Sequence, residues 1–511
     1  MKFLHQVVAM LPVAATSMAS TFNCSISTFQ SFLAANETSG QVLSAVAYLE
    51  NSTFIPPSSS RQIPTGMPAN CAVQLNITTE VNAHFSFILM LPTKWNSRFF
   101  GAAQSGQGIN YIDVATGMRY GFAAAWRANH EMTVIGKMLT EKWYESAPLY
   151  SYYTGCSTGG RQSLKELEMF PEDYDGVAAS CPAWWTTHNQ LWNLKQTLYQ
   201  SPANSSHSIP TSMFSVIGEE VLRQCDPQDG LTDSIISDPL GCNLNRLTLV
   251  CTANKTTFCL TSPQLDTLLS IYNDWVDVNQ TYVFSHVLYG SEETWASGNI
   301  GDGSASNSAN QLWYMQNILG LTNFTAADLS YETVEYADAT DPGNSSANNF
   351  DLSPFYNRGG KLLHYHGLAD GTVAPGASVY FHDHVTRTLA PMGIEVDNLY
   401  RFFLVPGLEH CTGTPSTMNA PWYFAGPNQA ATLSTSAHST PGYSDPRHDV
   451  LLALMTWVEN GTAPDSIIAT KFNDDLTVAK QRPICAFSNQ AKYDGTGNVD
   501  APESWSCESL Y

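Results

Sequence analysis

Three residues, far apart in a chain of 511, have the types and order needed for nucleophilic acyl chemistry. Ser157 lies in Gly155-Cys156-Ser157-Thr158-Gly159-Gly160, a Gly-x-Ser-x-Gly pattern. A serine hydroxyl is a weak nucleophile until a base takes its proton, and an imidazole serves as that base when a carboxylate orients it. Asp370 and then His410 supply both groups in that order. The glycines permit a tight turn with positive φ, and the Thr158 N–H, at the start of a following helix, can help hold an oxyanion. The other histidines read as structural. His364 and His366 alternate about Tyr365 in an apolar strand, His382 and His384 fall on a helix surface, and no histidine pair has zinc spacing.

Each of the three needs an element to carry it. Leu149 to Tyr153 reads as a strand and Arg161 to Phe170 as a helix with Leu164 and Leu167 at helical spacing, so Ser157 falls at a strand–turn–helix elbow. Lys361 to Gly367 and Tyr400 to Val405 read as strands, which puts Asp370 and His410 just past two successive strand ends. Further strands are expected at Ala72–Thr78, Phe85–Leu91, Phe122–Trp126 and Val177–Ser180, with helices at His130–Tyr144 and Val450–Val458. Strands alternating with helices predict a doubly wound, mostly parallel α/β sheet. The loop after Phe100, from Gly101 to Gly108, is a second source of oxyanion-hole N–H groups. Residues 20 to about 75 read as loop-rich. Residues 183–353 break the rhythm, carry four cysteines and most of the glycosylation tripeptides, and read as an inserted lid domain. The expected organisation is thus a leader over 1–19, a sheet domain over 20–182 and 354–511, and the lid between.

Composition narrows the class. A formal charge of -22 argues against nucleic acid and anionic membrane surfaces as partners. Hydrophobic content of 43% provides for a substantial core. Lys2, an apolar run from Val7 to Ala15 and the small-x-small Ser17-Met18-Ala19 read as a secretory signal peptide cut near Ala19. No later stretch has the roughly 18 uninterrupted apolar residues needed to span a bilayer. Asn36, Asn51, Asn76, Asn204, Asn254, Asn279, Asn323, Asn344 and Asn460 open Asn-x-Ser/Thr sites, consistent with a secreted glycoprotein. Eleven cysteines in an oxidising compartment imply disulfides and at least one leftover thiol. Cys225 with Cys242, Cys251 with Cys259, and Cys485 with Cys507 are close in sequence, and Cys24 and Cys71 stand alone near the N-terminus. That leaves Cys156, Cys181 and Cys411. A Cys156–Cys411 bridge would tie the nucleophile's loop to the histidine's; pairing of either with Cys181 is the alternative.

These stretches resemble the fungal tannase and feruloyl esterase family. The resemblance rests on Tyr152 to Gln162, on Phe170-Pro-Glu-Asp-Tyr-Asp-Gly176, on Gly360 to Asp370 and on Arg482-Pro483-Ile484-Cys485, and covers nearly the whole mature chain. It implies an α/β-hydrolase fold with a lid, the triad Ser157, Asp370 and His410, the Cys156–Cys411 bridge, the three local pairs together with Cys24–Cys71, and Cys181 as the free thiol. It also implies a secreted carboxylesterase acting on a hydroxycinnamate such as ferulate esterified to plant cell-wall sugars, as a monomer or homodimer, without an organic cofactor. The alternative is a tannase cleaving galloyl esters; absence of a dibasic site in the lid favours the feruloyl reading. A catalytically impaired binding protein and a serine peptidase are the other classes. The chain departs from the family where Gly101-Ala102-Ala103-Gln104 replaces a glycine-richer loop, and where Trp126 runs directly into Arg127-Ala128-Asn129-His130.

The lid carries a second motif. Asp226, Asp229 and Asp233 flank the Gly230 turn at i, i+3 and i+7, offering hard oxygen ligands, and the carbonyls of Leu231 and Ile235 can complete a shell. By resemblance, this is a structural calcium site.

Overall fold

Alternation along the strands builds two cores on one sheet. Phe99 and Phe100, Tyr152 and Tyr153, Leu362 and Leu363, and Phe402 and Phe403 are neighbours in sequence, and each pair splits between two separate buried clusters. Side chains one apart on a strand point to opposite faces, so both faces are buried. The computed structural model describes residues 22–55, 63–79, 82–102, 118, 120, 123–126, 129–433 and 439–510. The strands are β1 (Gly40–Tyr48), β2 (Asn70–Thr78), β3 (His84–Pro92), β4 (Arg98–Ala102), β5 (Ala123–Trp126), β6 (Tyr150–Cys156), β7 (Gly176–Ser180), the short β8 (Trp275–Val276) and β9 (Tyr282–Phe284), β10 (Lys361–Gly367), β11 (Tyr400–Val405), β12 (Ser466–Phe472), β13 (Val478–Cys485), β14 (Asn489–Tyr493) and β15 (Trp505–Ser509).

Nine of them form one sheet in the order β1-β2-β3-β5-β4-β6-β7-β10-β11. The pairs from β1 to β5 are antiparallel, and every pair from β5 to β11 is parallel. Helices cover the faces. Thr158–Met169 follows β6 and buries Leu164 and Leu167, Asn129–Tyr144 buries Met132 and Leu139, and Val450–Asn460 packs Leu451 and Leu454 into the opposite core. That last helix starts where the Asp449 carboxylate accepts the N–H groups of Leu451 and Leu452, and stops at Gly461 in the left-handed region.

Residues 22–55 and 63–75 are more ordered than their composition indicates. They hold a helix, Ile26–Ala35, whose Ser25 cap accepts the Thr28 N–H, and the edge strand β1. Only three of ten helix residues are buried, and most of β1 is partly or fully exposed, so neither leaves a strong periodic signal. Phe29 nevertheless stacks on Trp143 at 5.1 Å, and the Cys24–Cys71 disulfide fastens the segment to β2.

Between β7 and β10 the chain leaves the sheet and packs helices Thr186–Gln200, Ser212–Cys225, Ser262–Ile271, Ala309–Asn317 and Tyr331–Thr340 around a third core that includes Leu194, Phe214, Ile217, Trp295 and Met315. Cys225–Cys242 and Cys251–Cys259 brace it. After the last helix, the hairpins β12–β13 and β14–β15 are joined by Cys485–Cys507. No helix among the described residues is long and apolar enough to cross a membrane, and the stretch read as a signal peptide lies outside them.

The elbow depends on one close backbone approach. A Cβ on Gly160 would lie 2.5 Å from the Ser180 carbonyl oxygen and 3.0 Å from Pro182. Gly160→Ala therefore costs about 1–3 kcal/mol of overpacking, read as a lowered melting temperature; an unchanged one would refute this account of the turn.

Candidate active site

β6 ends at Cys156, and Ser157 turns the chain into the helix Thr158–Met169 with φ 62° and ψ -118°. Its N–H donates to the Ser180 carbonyl (2.9 Å), and its carbonyl accepts from Arg161 (2.9 Å) and Ala183 (3.2 Å). The backbone is thus pinned on three sides in a conformation L-residues rarely adopt, which is how a turn can hold strain at a functional residue. The side chain stays partly exposed. Thr158 is the first helical residue, so its N–H has no carbonyl one turn back to bond. On the neighbouring side, Gly101 and Ala102 end β4, but the rest of that loop, Ala103–Gly108, lies outside the described residues.

Asp370 follows β10 and is fully buried. Its Oδ1 accepts the N–H groups of Thr372 (2.8 Å) and Val373 (2.9 Å). Its Oδ2 takes His410 Nδ1 at 2.7 Å and His366 Nε2 at 3.1 Å. Burial alone would push this carboxyl up; the His410 and His366 imidazoles override it and hold it below the usual carboxylate value. Burial likewise lowers His410, but the Asp370 charge wins and raises it above the ordinary imidazole value. With Nδ1–H committed to Asp370, His410 presents Nε2 as its basic nitrogen. The two loops meet because Gly367 has no side chain: a Cβ there would overlap the carbonyl oxygens of Leu408 and Glu409.

Cys156 and Cys411 are disulfide-bonded with their Cα atoms 6.2 Å apart, so the residues after Cys156 and before Cys411, Ser157 and His410, are held at one place. Cys411 itself has φ 67°. The Ser157 hydroxyl makes no hydrogen bond within the described residues, an open geometry common before substrate binds. Cys181, free and fully buried, packs against the bridge, and its sulfur lies within 4.8 Å of ligand atoms of both Asp370 and His410. Burial pushes its thiol strongly up, which leaves it a packing group rather than a nucleophile.

Three contributors were not legible as site residues. His366 packs in β10 as its alternation implies, yet also bonds the acid. Glu409 is pushed up to about 7 by burial and by Glu293 and Asp370. Glu293 comes from the lid, where its Oε2 accepts from the N–H and hydroxyl of Ser416 (2.6 and 2.8 Å). Only the adjacency of Glu409 to His410 was visible in sequence.

In the lid, Asp226 accepts N–H bonds from Asp233, Ser234 and Ile235 at 3.0–3.3 Å, and Asp229 accepts from Leu231 at 2.9 Å around Gly230, which has φ 93°. Burial raises the Asp229 carboxyl. Asp233 Oδ2 pairs with Arg482 and lies 3.7 Å from Lys480, while its buried Oδ1 has no hydrogen-bond partner. The residues fit a hard cation in donor type, with that oxygen left over, although one carboxylate already faces two side-chain cations. Of the nine glycosylation asparagines, all but Asn76, which is half-buried in β2, are exposed.

A mostly parallel sheet with Ser157 at a strand–helix elbow, Asp370 after β10 and His410 after β11 is the architecture of an α/β-hydrolase. The "Tannase and feruloyl esterase" family matches residues 114–508, and the chain belongs to that family of carboxylic ester hydrolases. It is 31% identical over 472 residues to a probable feruloyl esterase B-1 of Aspergillus oryzae, covering 86% of this chain and 84% of that one. Feruloyl esterase B of Aspergillus niger is 29% identical over 466 residues, 86% of either chain. The crystal structure of feruloyl esterase B from Aspergillus oryzae superposes with a TM-score of 0.82 at 29% identity, over 94% of this chain and all of that one. Tannin acyl hydrolase from Aspergillus niger shares the fold, with a TM-score of 0.70 at 19% identity over 92% and 91% of the two chains.

The electrostatics give a signed expectation. Asp370 raises His410, so Asp370→Asn moves the acid limb of the kcat/KM–pH profile to lower pH. It also cuts kcat by up to about 10⁴-fold, as loss of the orienting acid does in other triads. A limb that stays in place or moves upward would contradict the role of the charge.

Proposed function

We propose that the chain is a secreted serine carboxylesterase that hydrolyses hydroxycinnamoyl (feruloyl) esters of plant cell-wall polysaccharide. The observation carrying this reading is the pairing of Cys156 with Cys411, which brings Ser157 to the His410–Asp370 pair. The substrate class rests on the relatives' names.

Ser157 Oγ attacks the ester carbonyl carbon while His410 Nε2 takes its proton. Asp370 stabilises the imidazolium that forms, and the Thr158 N–H, with a donor from the loop after β4, holds the oxyanion. The tetrahedral intermediate collapses, His410 returns the proton to the leaving sugar oxygen, and an acyl-serine remains. Water, deprotonated by the same nitrogen, releases the acid and restores Ser157.

A structural calcium in the lid belongs to this reading, held by the carboxylates of Asp226, Asp229 and Asp233 and the carbonyls of Leu231 and Ile235. The unpaired buried Oδ1 of Asp233 supports it. Secretion follows the leader at 1–19, and glycans on the exposed asparagines fit it.

Two measurements test these statements. Methyl ferulate and methyl gallate hydrolysis, compared side by side, should favour ferulate, and Ser157→Ala should abolish both by at least about 10³-fold with an unchanged melting temperature. Preference for gallate would make the protein a tannase; a fully active variant would remove Ser157 as nucleophile. Chelation should lower the melting temperature and calcium restore it, whereas an unaltered melt with no bound metal would remove the calcium site.

A further inference from the structure

From Asp370 an unbroken chain of buried polar groups runs through β10 to β11. His366 Nε2 meets Asp370 Oδ2 at 3.1 Å and the Val373 carbonyl at 3.0 Å. His366 Nδ1 meets Ser378 Oγ at 2.7 Å, Ser378 Oγ meets His364 Nε2 at 2.9 Å, and His364 Nδ1 meets the Tyr400 hydroxyl at 2.6 Å. All four side chains and Asp370 have no measurable exposure. They come from β10, β11 and the helix Pro375–Leu389.

The chain has a direction, assigned from its partners. A carboxylate and a carbonyl can only accept, so the proton is on His366 Nε2. In the order that a neutral His366 dictates, Nδ1 accepts and Ser378 donates to it. Ser378 then accepts from His364 Nε2–H, and His364 Nδ1 accepts from Tyr400. Burial holds His364 neutral and Tyr400 protonated, as this order requires. In this order every donor points towards Asp370, and each bond polarises the next.

We infer that His366 is a positioning residue of the triad: its Nε2–H, fixed from behind by Ser378, His364 and Tyr400, shares Oδ2 of Asp370 with His410 and sets both the orientation and the effective charge that the catalytic imidazole feels. This rests on the Ser157–Asp370–His410 reading. The carboxylate has donors on both oxygens: two backbone N–H groups fix Oδ1, and the two imidazoles divide Oδ2. Without His366, Oδ2 would serve His410 alone and the buried carboxylate would lose a donor. Both changes make the Asp370–His410 pair bind its proton more tightly. Among the described residues, Glu409, adjacent to His410 in the chain, and the Cys181 thiol, within 4.8 Å, are further ionisable neighbours; neither is altered by the substitution.

His366→Leu removes the donor, and His366→Gln restores one at the Nε2 position. On methyl ferulate, His366→Leu should lower kcat about 10- to 100-fold, the range for one hydrogen bond to a charged group, with KM within about twofold because the residue touches no substrate. The acid limb of kcat/KM should move to higher pH, opposite to Asp370→Asn, and His366→Gln should return both kcat and the limb most of the way. If His366→Leu does not fold, Ser378→Ala, which keeps the Nε2 contact with Asp370 but releases His366 Nδ1 and His364 Nε2, should show a smaller loss of kcat and a limb moved the same way. A folded His366→Leu, or failing that a folded Ser378→Ala, whose limb stays in place overturns the inference, whatever its kcat. Ser157→Ala measured alongside separates the cases: an active Ser157→Ala overturns the triad itself, while an inactive one with an unmoved His366→Leu limb overturns only the role of His366.

Discussion

An ionised carboxylate with no exposure is expensive to bury, and the arrangement around Asp370 follows from that expense. Moving such a charge out of water costs several kcal/mol even after relaxation, so it persists only where donors occupy its oxygens. Asp370 finds them in three places: its own loop, the strand before it, and the loop after the next strand. Each donor is also a constraint. The N–H groups of Thr372 and Val373 fold the loop back on itself, His366 ties it to β10, and His410 brings β11's loop within reach. The close approach at Gly367 lets these loops touch. The anion is therefore both the electrostatic partner of the His410 imidazole and the centre on which the local backbone is organised.

The carboxylate fixes only the acid and the base. Ser157, the proposed nucleophile, follows a different strand, separated from β10 by β7 in the sheet, and no hydrogen bond among the described residues links its hydroxyl to the imidazole. What joins the two halves is covalent. Cys156 and Cys411 are 255 residues apart in sequence, and their bridge lies directly beside both functional side chains. A hydrogen bond between hydroxyl and imidazole can then form and break as substrate arrives without the two drifting apart. Ser157 and Cys411 both sit at positive φ, so the bridge connects two backbones already held in uncommon conformations by their surroundings.

How much of this was visible in sequence depended on whether a residue's role is local. Ser157 was legible because glycine spacing, strand and helix all occur within a short window. Asp370 and His410 were legible because strand ends mark where this kind of sheet places its chemistry. The Cys156–Cys411 bridge could be suspected from adjacency to Ser157 and His410, but Cys181 offered an equal chemical partner, and only three-dimensional packing separates a bridge from a thiol lying against it. His366 was hidden for a different reason. Its alternation about Tyr365 correctly makes it a core residue, and period alone cannot say whether a buried imidazole faces a hydroxyl, a carboxylate or both. The helix at Ile26–Ala35 and strand β1 were hidden because each buries only part of one face. The pairing of Lys480 and Arg482 with Asp233 was hidden because it spans about 250 residues between lid and C-terminal hairpin.

The insertion between β7 and β10 is coupled to the site more tightly than a flap hinged at two ends would be. Its core includes Ala374, Ala377 and Met418, which belong to the acid loop's helix and to the segment after His410. A Cβ on Gly371, directly after the acid, would overlap the lid's Thr294 hydroxyl. Glu293 takes two hydrogen bonds from Ser416, and its charge adds to burial in raising Glu409 beside the base. The lid thus contacts the acid loop by packing and the histidine loop by hydrogen bonds and charge. Since packed interiors transmit small displacements rather than absorb them, a change in the lid core reaches Asp370 and His410 through these contacts.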